Sequence, residues 1–184
     1  MPTFKKADPS VNEMAFELLS LFETHKPLLD RQVRVDFVFA FADRDDATGE
    51  PINDALKKGG VKALGICRKL PLKDRAMGRG DAEISLDGDW WQDAEDDERK
   101  ALLDHELHHI AVKQDNDNLG RPKLALRPHD FEVGWFRIIA ERHGMASQER
   151  KQAAVVMARD GQYFWPDIAK QERGRMAKLE IANA

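Results

Sequence analysis

His105-Glu106-Leu107-His108-His109 has the form H-E-x-x-H and lies in a segment patterned as a helix. Residues four apart share one face of an α-helix, so His105 and His109 can offer two imidazoles to one metal ion. Glu106 sits about 100° around the axis from His105, within reach of a water on that ion without being a ligand itself. Two neutral imidazoles hold the ion, the ion lowers the pKa of its water, and the carboxylate takes the proton. These are the minimum parts for zinc-dependent hydrolysis of a peptide bond. His105 and His109 are therefore the expected metal ligands, Zn2+ the expected cofactor and Glu106 the expected catalytic base.

The flanking residues support a helix with two distinct faces. Asp93 is a candidate N-cap, and the acids Glu95, Asp96, Asp97 and Glu98 suit the positive end of a helix dipole. Leu103, Leu107 and Ile110 fall on one stripe, while His105 and His109 project from nearly the opposite side. The spacing predicts a helix over 93–113, stopped by Asp115-Asn116-Asp117-Asn118-Leu119-Gly120. His108 reads as a packing or solvent histidine. His25 and His143 read as surface or capping residues.

Catalytic zinc takes three protein ligands and leaves one position for water, so a third must come from outside this helix. Arg127-Pro128-His129-Asp130-Phe131-Glu132 supplies candidates. Pro128 and Asp130 suit the start of a further helix, with an apolar face of Phe131, Trp135, Ile138 and Ile139 and an end at Gly144. His129, at its head, is the preferred third ligand. Glu132 is the alternative if the site uses two histidines and one glutamate, and Asp130 could orient a ligand imidazole. Arg127 could meet a substrate carbonyl or make a salt bridge at the helix start.

Elsewhere, Asp8-Pro9-Ser10 opens a leading helix with Ser10 as its cap, carrying Met14, Leu18, Leu19 and Phe22 towards His25 and interrupted at Lys26-Pro27. Val33, Val35, Phe37 and Phe39 alternate as a strand. Further strands are expected over 61–68 and 82–86, with Cys67 buried in the first. The stretch 71–80 is basic and reads as a solvated connector. Trp90 and Trp91 suit a sheet-to-helix corner. Tyr163, Phe164 and Trp165 fall in a charged helical tail broken by Gly161 and Pro166. Asp43 to Asp54 resembles a calcium loop only faintly, since Thr48 occupies a turn position that needs glycine.

Composition limits the partners. A hydrophobic fraction of 42% supports a core, and 34% charged residues suit a soluble surface. The net charge of −4 does not indicate nucleic acid, although the basic connector leaves such a contact possible. Lys5 and Lys6 are followed by no apolar run, so no secretory signal is expected, and no run approaches the ~20 apolar residues that cross a bilayer. No membrane partner and a cytoplasmic location are expected. Oligomeric state is left open.

The order of "DAEISLDGDWW", "ERKALLDHELHHI" and "RPHDFEVGWFRIIAERHG" resembles the putative phage metallopeptidase family, small zinc-peptidase-like domains of phages and prophages, and more distantly the SprT-type minimal zincins. The resemblance spans 33–144. It implies zinc bound by His105 and His109, Glu106 as the base and His129 as the third ligand. Val133 and Gly134 stand where the family often shows an acid and an aromatic, which leaves the role of Glu132 open.

The resulting expectation is an α+β, minimal zincin-like fold, with a small twisted sheet packed on the H-E-x-x-H helix and additional helices. Its divisions are an N-terminal helix (1–30), the zincin-like domain (31–144) and a helical C-terminal extension (145–184). The strand at 82–86 would be the edge that receives an extended peptide or protein substrate. The expected function is zinc-dependent peptide-bond hydrolysis in a host cell's cytoplasm. The alternative is a zinc-containing regulatory or binding protein of phage or prophage origin without turnover.

Overall fold

In the computed structural model, which describes residues 1–129 and 135–160, the chain begins with a strand that no apolar pattern announces. β1 (Thr3–Lys6) is exposed along its length and pairs antiparallel with the strand formed around Phe37 and Phe39. An edge strand held by backbone bonds and carrying lysines needs no buried face, so alternation cannot reveal it. Asp8 then takes the N-cap position of α1 (Pro9–Leu21), with Pro9 at the first helical position, where its missing N–H is harmless. Ser10, the expected cap, lies inside the first turn. A 3-10 turn (Glu23–His25) follows, and Pro27 opens α2 (Lys26–Asp30).

Next come β2 (Val35–Phe41), β3 (Lys57–Lys58), β4 (Val61–Lys62), β5 (Gly65–Lys69), α3 (Leu72–Ala76) and β6 (Ala82–Asp87). Gly59 and Gly60 have positive φ and turn β3 into β4, and the strand expected over 61–68 is interrupted at 63–64 before it resumes as β5. The expected solvated connector contains α3, and its Arg75 is buried between Asp81 (2.5 Å) and Asp117 (2.7 Å).

The main sheet has the order β1-β2-β6-β5, with β2 and β6 parallel and the outer pairs antiparallel. This corrects the expectation that 82–86 is an edge. β6 lies between two strands and every one of its residues is buried. Its polar Glu83 is buried because Arg68 (2.6 Å) and Arg79 cover that carboxylate. The edge on this side of the sheet is β5.

Asp87 accepts the Trp90 N–H at 3.1 Å and caps α4 (Gly88–Asp93). α5 (Asp96–His108) starts separately, with Glu95 and Glu98 forming a capping box. The helix expected from 93 therefore starts at Asp96, and a separate short helix ends at Asp93, with Trp91 packed on Phe39 at the corner. The expected end at 113 is also corrected. After His109 the chain becomes β7 (Ile110–Asn116), paired antiparallel with β8 (Pro122–Leu126). Ile110 and Val112 favour extended backbone, and the partner strand satisfies groups that a longer helix would have satisfied itself. Asp117 closes this hairpin, accepting the N–H groups of Leu119 (2.8 Å) and Arg121 (3.0 Å).

Residues 127–129 are not helical. The helix expected from Pro128 is described as α6 (Arg137–His143), closed by Gly144 at φ 53°. A 3-10 turn (Gly144–Ala146) leads to α7 (Gln148–Asp160). Asp130, Phe131, Glu132, Val133 and Gly134, and the tail 161–184 with Gly161, Tyr163, Phe164, Trp165 and Pro166, lie outside the described residues.

Phe37, Phe39, Ile84 and Leu86 on the sheet meet Val11 and Leu18 of α1 and Leu103 and Leu107 of α5 in one core. Leu103 and Leu107 are fully buried, each contributing roughly 1.5–3 kcal/mol by transfer out of water. Residues 1–30 thus supply both a strand and a core helix to this mixed α+β unit. Among the described residues, no helix is long and apolar enough to cross a membrane.

Candidate metal centre

The end of α5 is stitched to the end of β8 by one residue. Arg127 donates from Nη1 to the His108 carbonyl (2.7 Å) and from its backbone N–H to the His109 carbonyl (2.7 Å). Its own carbonyl accepts from His109 Nδ1 at 2.7 Å. Arg127 therefore satisfies open carbonyls at a helix C-terminus, where a cation is favoured, in place of the helix-start salt bridge considered from the sequence. Two residues later the chain delivers His129 beside the helix.

His105, His109 and His129 are brought together, with candidate ligand atoms within 4.8 Å of one another. His105 Nε2 and His129 Nε2 are 3.1 Å apart. Nitrogens bound to one zinc at 2.0–2.1 Å stand roughly 3.3 Å from each other. A carbonyl oxygen only accepts, so His109 Nδ1 must carry the proton that meets Arg127, and its Nε2 keeps a lone pair. Burial, above all, lowers the His109 imidazole to about 4, so it is neutral near pH 7. Burial also pulls His105 downward, but its hydrogen bond with Glu149 and the charges of Glu106 and Glu149 outweigh that and raise its pKa. Three imidazoles aimed at a common point fit a transition-metal ion.

Glu106 is 4% exposed. Burial pushes its carboxyl up to about 7, against the smaller opposing effects of His105, Lys58 and the Cys67 backbone N–H. It lies close against β5, where a Cβ on Gly65 would stand 2.6 Å from Glu106 Oε1. The histidines and Glu106 line a cleft of about 320 Å3, with Lys58, Leu64 and Trp135 also in its walls. A larger hollow, about 790 Å3 by Phe4, Asp36 and Arg79, includes none of the histidines. Cys67 is buried as expected.

Two site residues escaped the sequence reading. Phe136 is fully buried, and its ring lies 4.6–5.1 Å from the rings of His105, His108, His109 and His129. Glu149 reaches His105 Nδ1 from α7. Neither had a local signal: Phe136 precedes its helix, and Glu149 sits in a charged stretch that reads as a solvated face.

The surface or capping reading of His25 and His143 is corrected. His25 Nε2 meets Asp104 at 2.6 Å and His143 Nε2 meets it at 2.8 Å, with Arg142 at 3.2 Å. Asp104 is fully buried. Burial by itself would raise its carboxyl, but these partners hold it well below the usual range. It ties the 3-10 turn and α6 to α5 one residue before His105. His108 packs as expected, ring to ring with His25 at 5.9 Å and with Phe136 at 4.6 Å. Asp130 and Glu132 are outside the described residues.

Residues 4–160 match the family model described as putative phage metallopeptidase. No curated protein and no solved structure matches the chain.

Proposed function

The chain belongs to the putative phage metallopeptidase family, and from that premise we propose that it is a zinc-dependent peptidase of minimal zincin plan, acting on a peptide or protein in the host cytoplasm. The observation that carries the reading is the convergence of three imidazoles beside a buried carboxylate in one cleft. His105, His109 and His129 hold the ion in this reading, with Glu132 the alternative third ligand and Asp130 an orienting partner.

Zinc bound there supplies Lewis acidity, which polarises the scissile carbonyl and makes water nucleophilic near neutral pH. Glu106 takes the proton from the attacking water and passes it to the leaving amine nitrogen. Burial raises this carboxyl in the metal-free chain, and beside a bound cation it is drawn back towards the ionised form that accepts a proton from water. The Cys67 N–H and the space left by Gly65 hold the carboxylate at the β5 edge. An extended substrate aligns along β5 by strand addition, in place of the expected strand at 82–86.

Glu106→Gln tests the reading. The variant should keep its fold and about one zinc per chain while losing hydrolysis of peptides that the unsubstituted chain cleaves. Retained hydrolysis removes Glu106 from the chemistry. If the variant keeps full biological activity, the zinc-containing regulatory or binding role takes its place.

A further inference from the structure

Glu149 stands 44 residues beyond His105, on α7, yet its carboxylate hydrogen-bonds His105 Nδ1. It is 4% exposed. A carboxylate is seldom buried without a partner that offsets the loss of water, and here the His105 imidazole is such a partner. α7 is held near this contact by a further ion pair to α5 and is capped at its own start. Lys151 pairs with Glu98 of α5, and the Ser147 hydroxyl accepts the Arg150 N–H at 3.3 Å in the first turn. His109 is oriented by a neutral carbonyl, whereas His105 is oriented by a carboxylate.

We propose that Glu149 is a positioning residue of the metal centre, an inference that rests on reading the histidines as ligands. It holds His105 with its proton on Nδ1 and turns Nε2 towards the point shared with His109 and His129. Its charge also makes that nitrogen a stronger donor, since a carboxylate behind a ligand imidazole raises ligand basicity. α7 is then a working part of the centre, with a chemical reason to pack against α5.

The test uses the full chain with Glu149→Gln, Glu149→Ala and, as a control, Lys151→Ala. The control loosens α7 without touching an imidazole. Zinc affinity is measured by competition with a chromophoric chelator, and the visible spectrum is recorded after loading with cobalt. Glu149→Ala should weaken zinc binding by about 10–100-fold. Glu149→Gln, which still accepts a hydrogen bond but lacks the charge, should lose a smaller part and shift the cobalt bands. Lys151→Ala should bind like the unsubstituted chain with unshifted bands. Should Glu149→Ala fail to fold, the near-isosteric glutamine variant decides. Unchanged affinity and spectrum in the Glu149 variants overturn the proposal, as does an equal loss in Lys151→Ala. If the unsubstituted chain binds no zinc, the ligand reading itself fails, and Glu149 falls with it.

Discussion

Replacing Gly65 by alanine should silence hydrolysis while leaving the metal in place. The added Cβ would stand 2.6 Å from Glu106 Oε1, 2.7 Å from its Cγ and 2.8 Å from its Cδ. Ordinary contact begins near ~3.5 Å, so the glutamate must retreat by about 1 Å. Gly65 is not among the positive-φ glycines, so alanine strains no backbone there, and the nearest atoms belong to one side chain. The loss of stability should be that of modest overpacking, about 1–3 kcal/mol. A misplacement of about 1 Å in a catalytic group costs on the order of 100-fold in rate. The assay is turnover of a peptide identified by mass spectrometry in a mixed-peptide digest by the unsubstituted chain, with zinc content and thermal unfolding in parallel. Turnover within about threefold of the unsubstituted chain, far short of that loss, would show that the place of Glu106 against β5 does not set the rate. Loss of zinc would show that Gly65 shapes the ligand cage instead.

Asp104→Ala should cost about 3–5 kcal/mol in denaturant unfolding, because it strands His25 and Arg142 beside a vacated buried charge; a loss below about 1 kcal/mol would place it with exposed ion pairs. In the metal-free protein, the Glu106 carboxyl is raised from 4.5 to about 7, so the folded state binds its proton more tightly than the unfolded state. That contribution is intact below the unfolded value and is lost as pH rises through the folded one. Glu106→Gln removes this loss, so its stability relative to the unsubstituted metal-free chain should climb by roughly 3 kcal/mol between acid and mildly alkaline pH; a flat difference contradicts the sign. His129→Ala should weaken zinc binding beyond the ~10–100-fold typical of an outer partner and Glu132→Ala should not, whereas the reverse result in the same chelator competition assigns the third ligand to Glu132.

What the sequence determined by itself was set by short spacings. His105 and His109 stand four positions apart, and helix geometry alone puts them on one face. Alternation from Val33 to Phe39 was enough to reveal a strand, since its apolar residues recur at the period of the pleat. Proline and glycine marked several turns correctly, but Pro27, read as ending or interrupting a helix, opens α2, and Pro128, read as a helix start, lies in a non-helical stretch.

Tertiary structure alone decided the rest, because those features depend on partners far along the chain. Pairing with β8 made a strand of Ile110 to Asn116, where the helix was expected to run on to 113. Arginines covering Glu83 put β6 inside the sheet and left β5 as the edge. His25, His143 and Glu149 look like surface residues locally, and only packing against α5 buries His25 and Glu149 and half-buries His143 beside Asp104 and His105. A helix fixes directions among its own side chains. Which buried charge finds which partner is settled by the folding free energy of the whole chain, and no local pattern encodes that sum.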